Sequence, residues 1–277
     1  MQKNEDRNIP SRRERIGIVL PLSFLLLLVI FITSLIIGTK MIDLSTVWEA
    51  LLHRNPDNVT HQIIWEIRLP RALMAGLVGA YLAISGAVMQ ALTRNPLAEP
   101  SLLGVSNGAA FALVLSLTVF SGLSIMGSII ASMIGAGLAV LLVFSLSALS
   151  RGGVTPVKLA LAGMATGMFL SSLTTSMALY FDVTKNISFW YAGELANSHW
   201  VEVKIITAIG LIGLPILLSI AHSLTLLSLG TDVTKGLGVN IKLVRALGII
   251  VILLLTGSSV AVSGTIGFIG LVIPHIT

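Results

Sequence analysis

The chain has 277 residues, 55% of them hydrophobic and 10% charged, with a formal net charge of +5 and no cysteine. Soluble domains carry about a quarter charged residues, so this composition excludes water as the main solvent, and the missing thiols exclude a disulfide framework or a thiolate metal site. Lys and Arg are scattered through short segments without interleaved aromatics, which excludes nucleic acid as a partner and makes membrane topology the source of the charge.

A bilayer core needs about 20 apolar residues per helix, and the uncharged runs measured against that length predict an all-α, polytopic membrane helix bundle. Helices are expected because backbone groups in hydrocarbon must pair within their own segment. The basic tail 1–15 carries Lys3, Arg7, Arg12, Arg13 and Arg15 and precedes the first run, Ile16–Gly38. That run is too long for a signal peptide, and no small-residue cleavage site follows it. Residues 16–277 are read as one membrane domain.

The polar stretch Lys40–Leu69 comes next, with Trp48 and Trp65 suited to the headgroup level. Ala72–Thr93 gives the second span, and Ser101–Ser150 is an uncharged run with room for two more and a turn near Ser121-Gly122. Leu159–Phe181 is a fifth and Ile205–Thr231 a sixth; Ala246–Thr277, interrupted at Ser263-Gly264, is a seventh plus the start of an eighth. Asp182–Lys204, with Trp190, Tyr191 and Trp200, reads as an interfacial anchor. With the N-terminus cytoplasmic, the inner segments hold the tail cations together with Arg94, Arg151, Lys158, Lys235, Lys242 and Arg245, which is most of the 17 Lys and Arg. That asymmetry obeys the positive-inside rule.

The spans lack an ionisable group near the middle, where a proton-driven carrier needs one, and no stretch matches the phosphate-cradling G-x-x-x-x-G-K-[ST] loop. No carboxylate pair, metal-spaced cluster or nucleophile with a base falls within a span. No catalytic residue, metal or cofactor is therefore expected, and an energy source would lie in another subunit. Small residues are frequent in the spans, as at Gly79-Ala80, Gly108-Ala109-Ala110 and Gly135-Ala136-Gly137, and they allow helix backbones to approach closely.

Three local sequences stand out. Ile67-Arg68-Leu69-Pro70-Arg71 puts two cations at the outer mouth of the second span, with Pro70 suited to a first helical turn. Arg94-Asn95-Pro96-Leu97-Ala98-Glu99-Pro100 forces a non-helical link between spans. Gly267-Phe268-Ile269-Gly270-Leu271-Val272-Ile273-Pro274-His275 breaks the last hydrophobic run.

Together these resemble the permease subunit of type II ABC importers that take up iron-siderophore complexes, haem or vitamin B12, and the likeness runs along nearly the whole chain. The resemblance implies a ten-span fold of which about eight spans are present, since the family continues past Pro274-His275-Ile276 with a cytoplasmic loop and two more spans. It implies a second permease subunit (homo- or heterodimer), two ATP-binding-cassette ATPases in the cytoplasm, an extracellular substrate-binding protein, and a bacterial inner membrane around them. The function it implies is translocation of an iron(III)-siderophore by alternating access, with ATP hydrolysis outside this chain. Vitamin B12 or haem remains open as the substrate, and an ion-coupled secondary transporter or a membrane scaffold or enzyme is the alternative of another class.

By the same resemblance, Arg68 and Arg71 receive acidic residues of the binding protein. Gly230, Thr231, Asp232, Thr234, Leu237 and Gly238 form the loop that docks the ATPase, with Thr231 and Thr234 standing where the family usually has glutamate and alanine. Asn95, Leu97, Thr155 and Pro156 are the implied cytoplasmic gate.

Overall fold

The computed structural model describes residues 12–120, 122–150, 155–192, 195 and 198–276, with side chains except at 12–16, 18 and 156. Residues 1–11 of the predicted basic tail, and Arg151, lie outside the described residues. Helices and turns make up all the regular structure among the described residues, and the chain divides into two compact units, Met1–Ala72 and Leu73–Thr277.

In the first unit, α1 (Arg12–Ile36) is the predicted first span, and the polar stretch after it folds into α2 (Leu44–Leu52) and α3 (Val59–Ile63). Asn58 caps α3 by accepting a hydrogen bond from the Thr60 amide at 2.9 Å, which satisfies one of the free N–H groups of a first turn. Leu35, Ile42, Val47, Ala50 and Ile64 are buried, and the Trp65 indole N–H donates to the Ala50 carbonyl at 2.7 Å. Trp65 is thus tied to α2 rather than standing free at an interface.

A π turn, Ile64–Arg68, joins α3 to α4 (Leu69–Thr93) without leaving the helical path. The expectation for Pro70 was a helix start; instead it sits inside a continuous helical run. The wider turn explains the tolerance: the Leu69 amide reaches back five residues to the Ile64 carbonyl, and the ladder is already displaced where proline lacks its own N–H.

The second unit holds most of α4 together with α5 (Val105–Thr118), α6 (Ile125–Leu149), α7 (Pro156–Tyr180), α8 (Thr184–Tyr191), α9 (Trp200–Leu229), α10 (Thr231–Gly236), α11 (Ile241–Ser263) and α12 (Ile269–Ile276). α5 packs against α6 and α7, and α11 against α9, α6 and α5. Glycines permit the closest crossings: a Cβ on Gly108 would lie 2.4 Å from the Gly135 carbonyl oxygen, and one on Gly86 would lie 1.9 Å from that of Gly270. Such packing replaces the hydrophobic effect, which does not act between helices in lipid.

Among the described residues, six helices are long and apolar enough to cross a membrane. The run from 101 to 150 was expected to give two full spans, yet α5 has only 14 residues, about 21 Å at 1.5 Å per residue. The ends of the run account for the shortfall, with 101–104 before α5 and 119–120 and 122–124 after it outside the α-helix. Pro96 and Pro100 hold residues 94–104 out of the α-helix, and Pro100–Leu103 forms a 3-10 turn closed by Gly104 at φ +73°. At the other end of the unit α11 stops at Ser263, the interruption expected from sequence, and α12 begins after five intervening residues.

Candidate functional site

Arg68 and Arg71 are three residues apart in sequence but in different surroundings. Arg68 is only 9% exposed. Its guanidinium donates to the carbonyls of Leu35 at 2.5 Å and Ile36 at 2.8 Å, and also to that of Lys40. These are carbonyls at and just past the end of α1, which have no partner within the helix, and a cation there also complements the negative end of the helix dipole. Arg71 is exposed and makes no ion pair or hydrogen bond among the described residues.

Asn95 and Leu97 sit in the link after α4. The Asn95 Oδ1 accepts from the Leu97 amide at 2.9 Å, an Asx turn that fixes the link and leaves Leu97 70% exposed. Thr155 caps α7, its Oγ1 accepting from the Lys158 amide at 3.4 Å, and Pro156 is the first helical residue. Thr155 lines a cavity of about 430 Å³ with Arg94 and Arg245, whereas Asn95 and Leu97 lie outside its lining.

The predicted ATPase loop contains a helix of its own. Gly230 turns the chain at φ +137° and Gly238 at φ +75°, conformations that a side chain resists. Between them, α10 presents Asp232, Val233 and Leu237 to the surface. Thr234 faces inward and is fully buried; its hydroxyl is 2.6 Å from the Gly230 carbonyl and 2.9 Å from the Leu226 carbonyl. A threonine at this position tethers α10 to the end of α9, a bond alanine could not make.

Two features escaped the sequence reading. Glu99 accepts a hydrogen bond from the Phe268 amide at 2.9 Å, and Gln90 donates to the Leu271 carbonyl at 3.3 Å. The second and third signature motifs thereby hold one another, with a carboxylate at the start of α12 where it favours the helix dipole. The signal was present in Glu99, an acidic residue between two apolar spans, but its partner is far along the chain. The second feature is an open groove of about 500 Å³ lined by Ser101, Asn107, Ser171 and Ser172 along with small and methionine residues of α7. It gathers one amide and three hydroxyls in a single open space.

Residues 26–277 match the FecCD transport family. The chain belongs to that family. Among FecCD-type relatives, it is 50% identical over 244 residues to the iron(3+)-hydroxamate import system permease protein FhuB of Bacillus subtilis (strain 168), covering 88% of this chain and 64% of FhuB. It is 38% identical over 262 residues to the ferric enterobactin transport system permease protein FepD of Escherichia coli (strain K12), covering 94% of this chain and 78% of FepD. A solved inward-facing conformation of a metal-chelate type ABC transporter superposes with a TM-score of 0.79 at 34% identity, over 93% of this chain and 80% of that one. The chain thus spans somewhat less than two thirds of FhuB's length, and its helical fold is that of the FecCD permeases.

Proposed function

We propose that this chain is the membrane-spanning permease subunit of an ATP-driven importer for an iron(III)-siderophore, with the hydroxamate class favoured by the 50% identity to FhuB. The observation that carries the reading is the polar groove on α7. Asn107 and the serines 101, 171 and 172 line an open space, and polar strips at membrane depth belong against water or protein. A second permease subunit facing this groove would enclose an aqueous path.

In this reading the N-terminus is cytoplasmic, α10 docks one of two ATPases through Asp232, Val233 and Leu237, and a substrate-binding protein approaches the end of the bundle where α4 begins. Arg71 is the exposed cation for that docking, while Arg68 supports it from beneath. Asn95, Leu97, Thr155 and Pro156 are the cytoplasmic gate in the same reading. Vitamin B12 and haem stay as alternative cargoes of the same machine; no relative reported above is named as an ion-coupled carrier.

Uptake of a radiolabelled ferric hydroxamate by cells with and without the gene tests the proposal. Loss of uptake that depends on ATP and resists ionophores is the expected result. Unchanged uptake of every ferric siderophore tried would reject the substrate class, and collapse by ionophore alone would reject the ATP-driven mechanism.

A further inference from the structure

The cavity beside Thr155 is graded in polarity. Arg94 follows the last residue of α4, Thr155 caps α7, and Arg245 lies in the second turn of α11, so its polar residues all sit at helix ends. Deeper along the same helices the lining becomes apolar: Ile249 and Ile252 lie one and two turns below Arg245, about 6 Å and 10 Å along α11 at 1.5 Å per residue. Met89, Phe144 and Leu159 close the space.

Among the described residues, no carboxylate lines this cavity. Both guanidiniums are exposed, and neither makes an ion pair or hydrogen bond among the described residues. Two like charges facing one space repel unless an anion lies between them. The volume, about 430 Å³, falls in the range of ligand sites that are mostly apolar with a few placed polar groups. The α10 docking surface does not use this cavity, and of the gate candidates Asn95, Leu97 and Thr155 only Thr155 lines it.

We propose that the cavity is a binding site for an anionic phospholipid of the adjoining leaflet, with the phosphate between Arg94 and Arg245 and an acyl chain against Phe144, Ile249 and Ile252. Charge complementarity selects the occupant. A zwitterionic lipid brings a competing cation to the same two arginines, and a free phosphate leaves the apolar depth unfilled. Basic pockets between membrane helices commonly hold anionic headgroups in this way.

The test is native mass spectrometry of the whole chain released from nanodiscs of equal phosphatidylglycerol and phosphatidylcholine. Preferential retention of phosphatidylglycerol is expected, falling roughly thirtyfold in an Arg94→Gln/Arg245→Gln variant, since each cation near a headgroup contributes about fivefold. The Arg94→Lys/Arg245→Lys variant keeps the charge and should keep the preference, which separates loss of the site from loss of folding. Ile249→Trp fills the apolar depth and should release the lipid with both arginines intact. Equal retention of the two lipids, retention unchanged in the double Gln variant, or displacement by millimolar inorganic phosphate would each overturn the proposal.

Discussion

Arg68 and the pair Arg94 and Arg245 are the same residue type beside helix ends, yet they have opposite fates. Arg68 is spent: it is buried and gives its donors to the carbonyls at the end of α1. Arg94 and Arg245 are exposed around a cavity and make no ion pair among the described residues. A cation is structural where orphan carbonyls converge on it, and it is available to a partner where they do not.

The strongest way to break this comparison is Arg68→Ala. It removes three charge-assisted hydrogen bonds, and a single such bond is worth about 1.5–3 kcal/mol. A loss of at least about 3 kcal/mol, read as a large drop in thermal stability in detergent, is expected; stability equal to the native chain would show that Arg68 is as free as Arg71.

Glu99→Ala should cost roughly 0.5–1.5 kcal/mol by removing the acceptor of the exposed Phe268 amide, with faster hydrogen exchange at that amide. Glu99→Gln keeps an acceptor oxygen and should recover most of the loss, so equal effects from the two variants would dismiss the hydrogen bond as the cause. Thr234→Ala removes the hydroxyl that ties α10 to α9. About 1 kcal/mol is expected, seen as reduced exchange protection confined to residues 231–236, and an effect spread through α9 would contradict a local tether.

Arg71→Ala is the smallest in stability, within about 0.5 kcal/mol as for an exposed side chain without partners. Its effect should appear in affinity for the binding protein, most at low ionic strength where exposed charges are least screened. Salt-independent docking, or docking unaltered by the change, would remove Arg71 from the interface.

Much of the architecture was legible beforehand. Ile205–Thr231 and Leu159–Phe181 became α9 and α7 with shifts of a few residues, and the interruption at Ser263-Gly264 fell where α11 ends. The length of α5 was misjudged, because an uncharged count does not register that residues 101–104 go to a 3-10 turn and 119–124 to the connection before α6. Among the site residues, Gly230 and Gly238 could be read as turn positions. That Thr234 points inward and Leu237 outward could not, since six residues of helix carry no clear apolar face.

The sequence by itself determined the solvent, the helical class, the places where spans break and the family, because desolvation of uncharged runs and the geometry of proline and glycine act locally. Only the tertiary structure decided which arginine is consumed, which carboxylate clasps a broken helix, and which cations frame an apolar cavity. Arg68 meets Leu35 across 33 positions and Glu99 meets Phe268 across 169. Contacts at such separations depend on how helices pack, and identical side chains take different roles according to the carbonyls and voids that packing puts beside them.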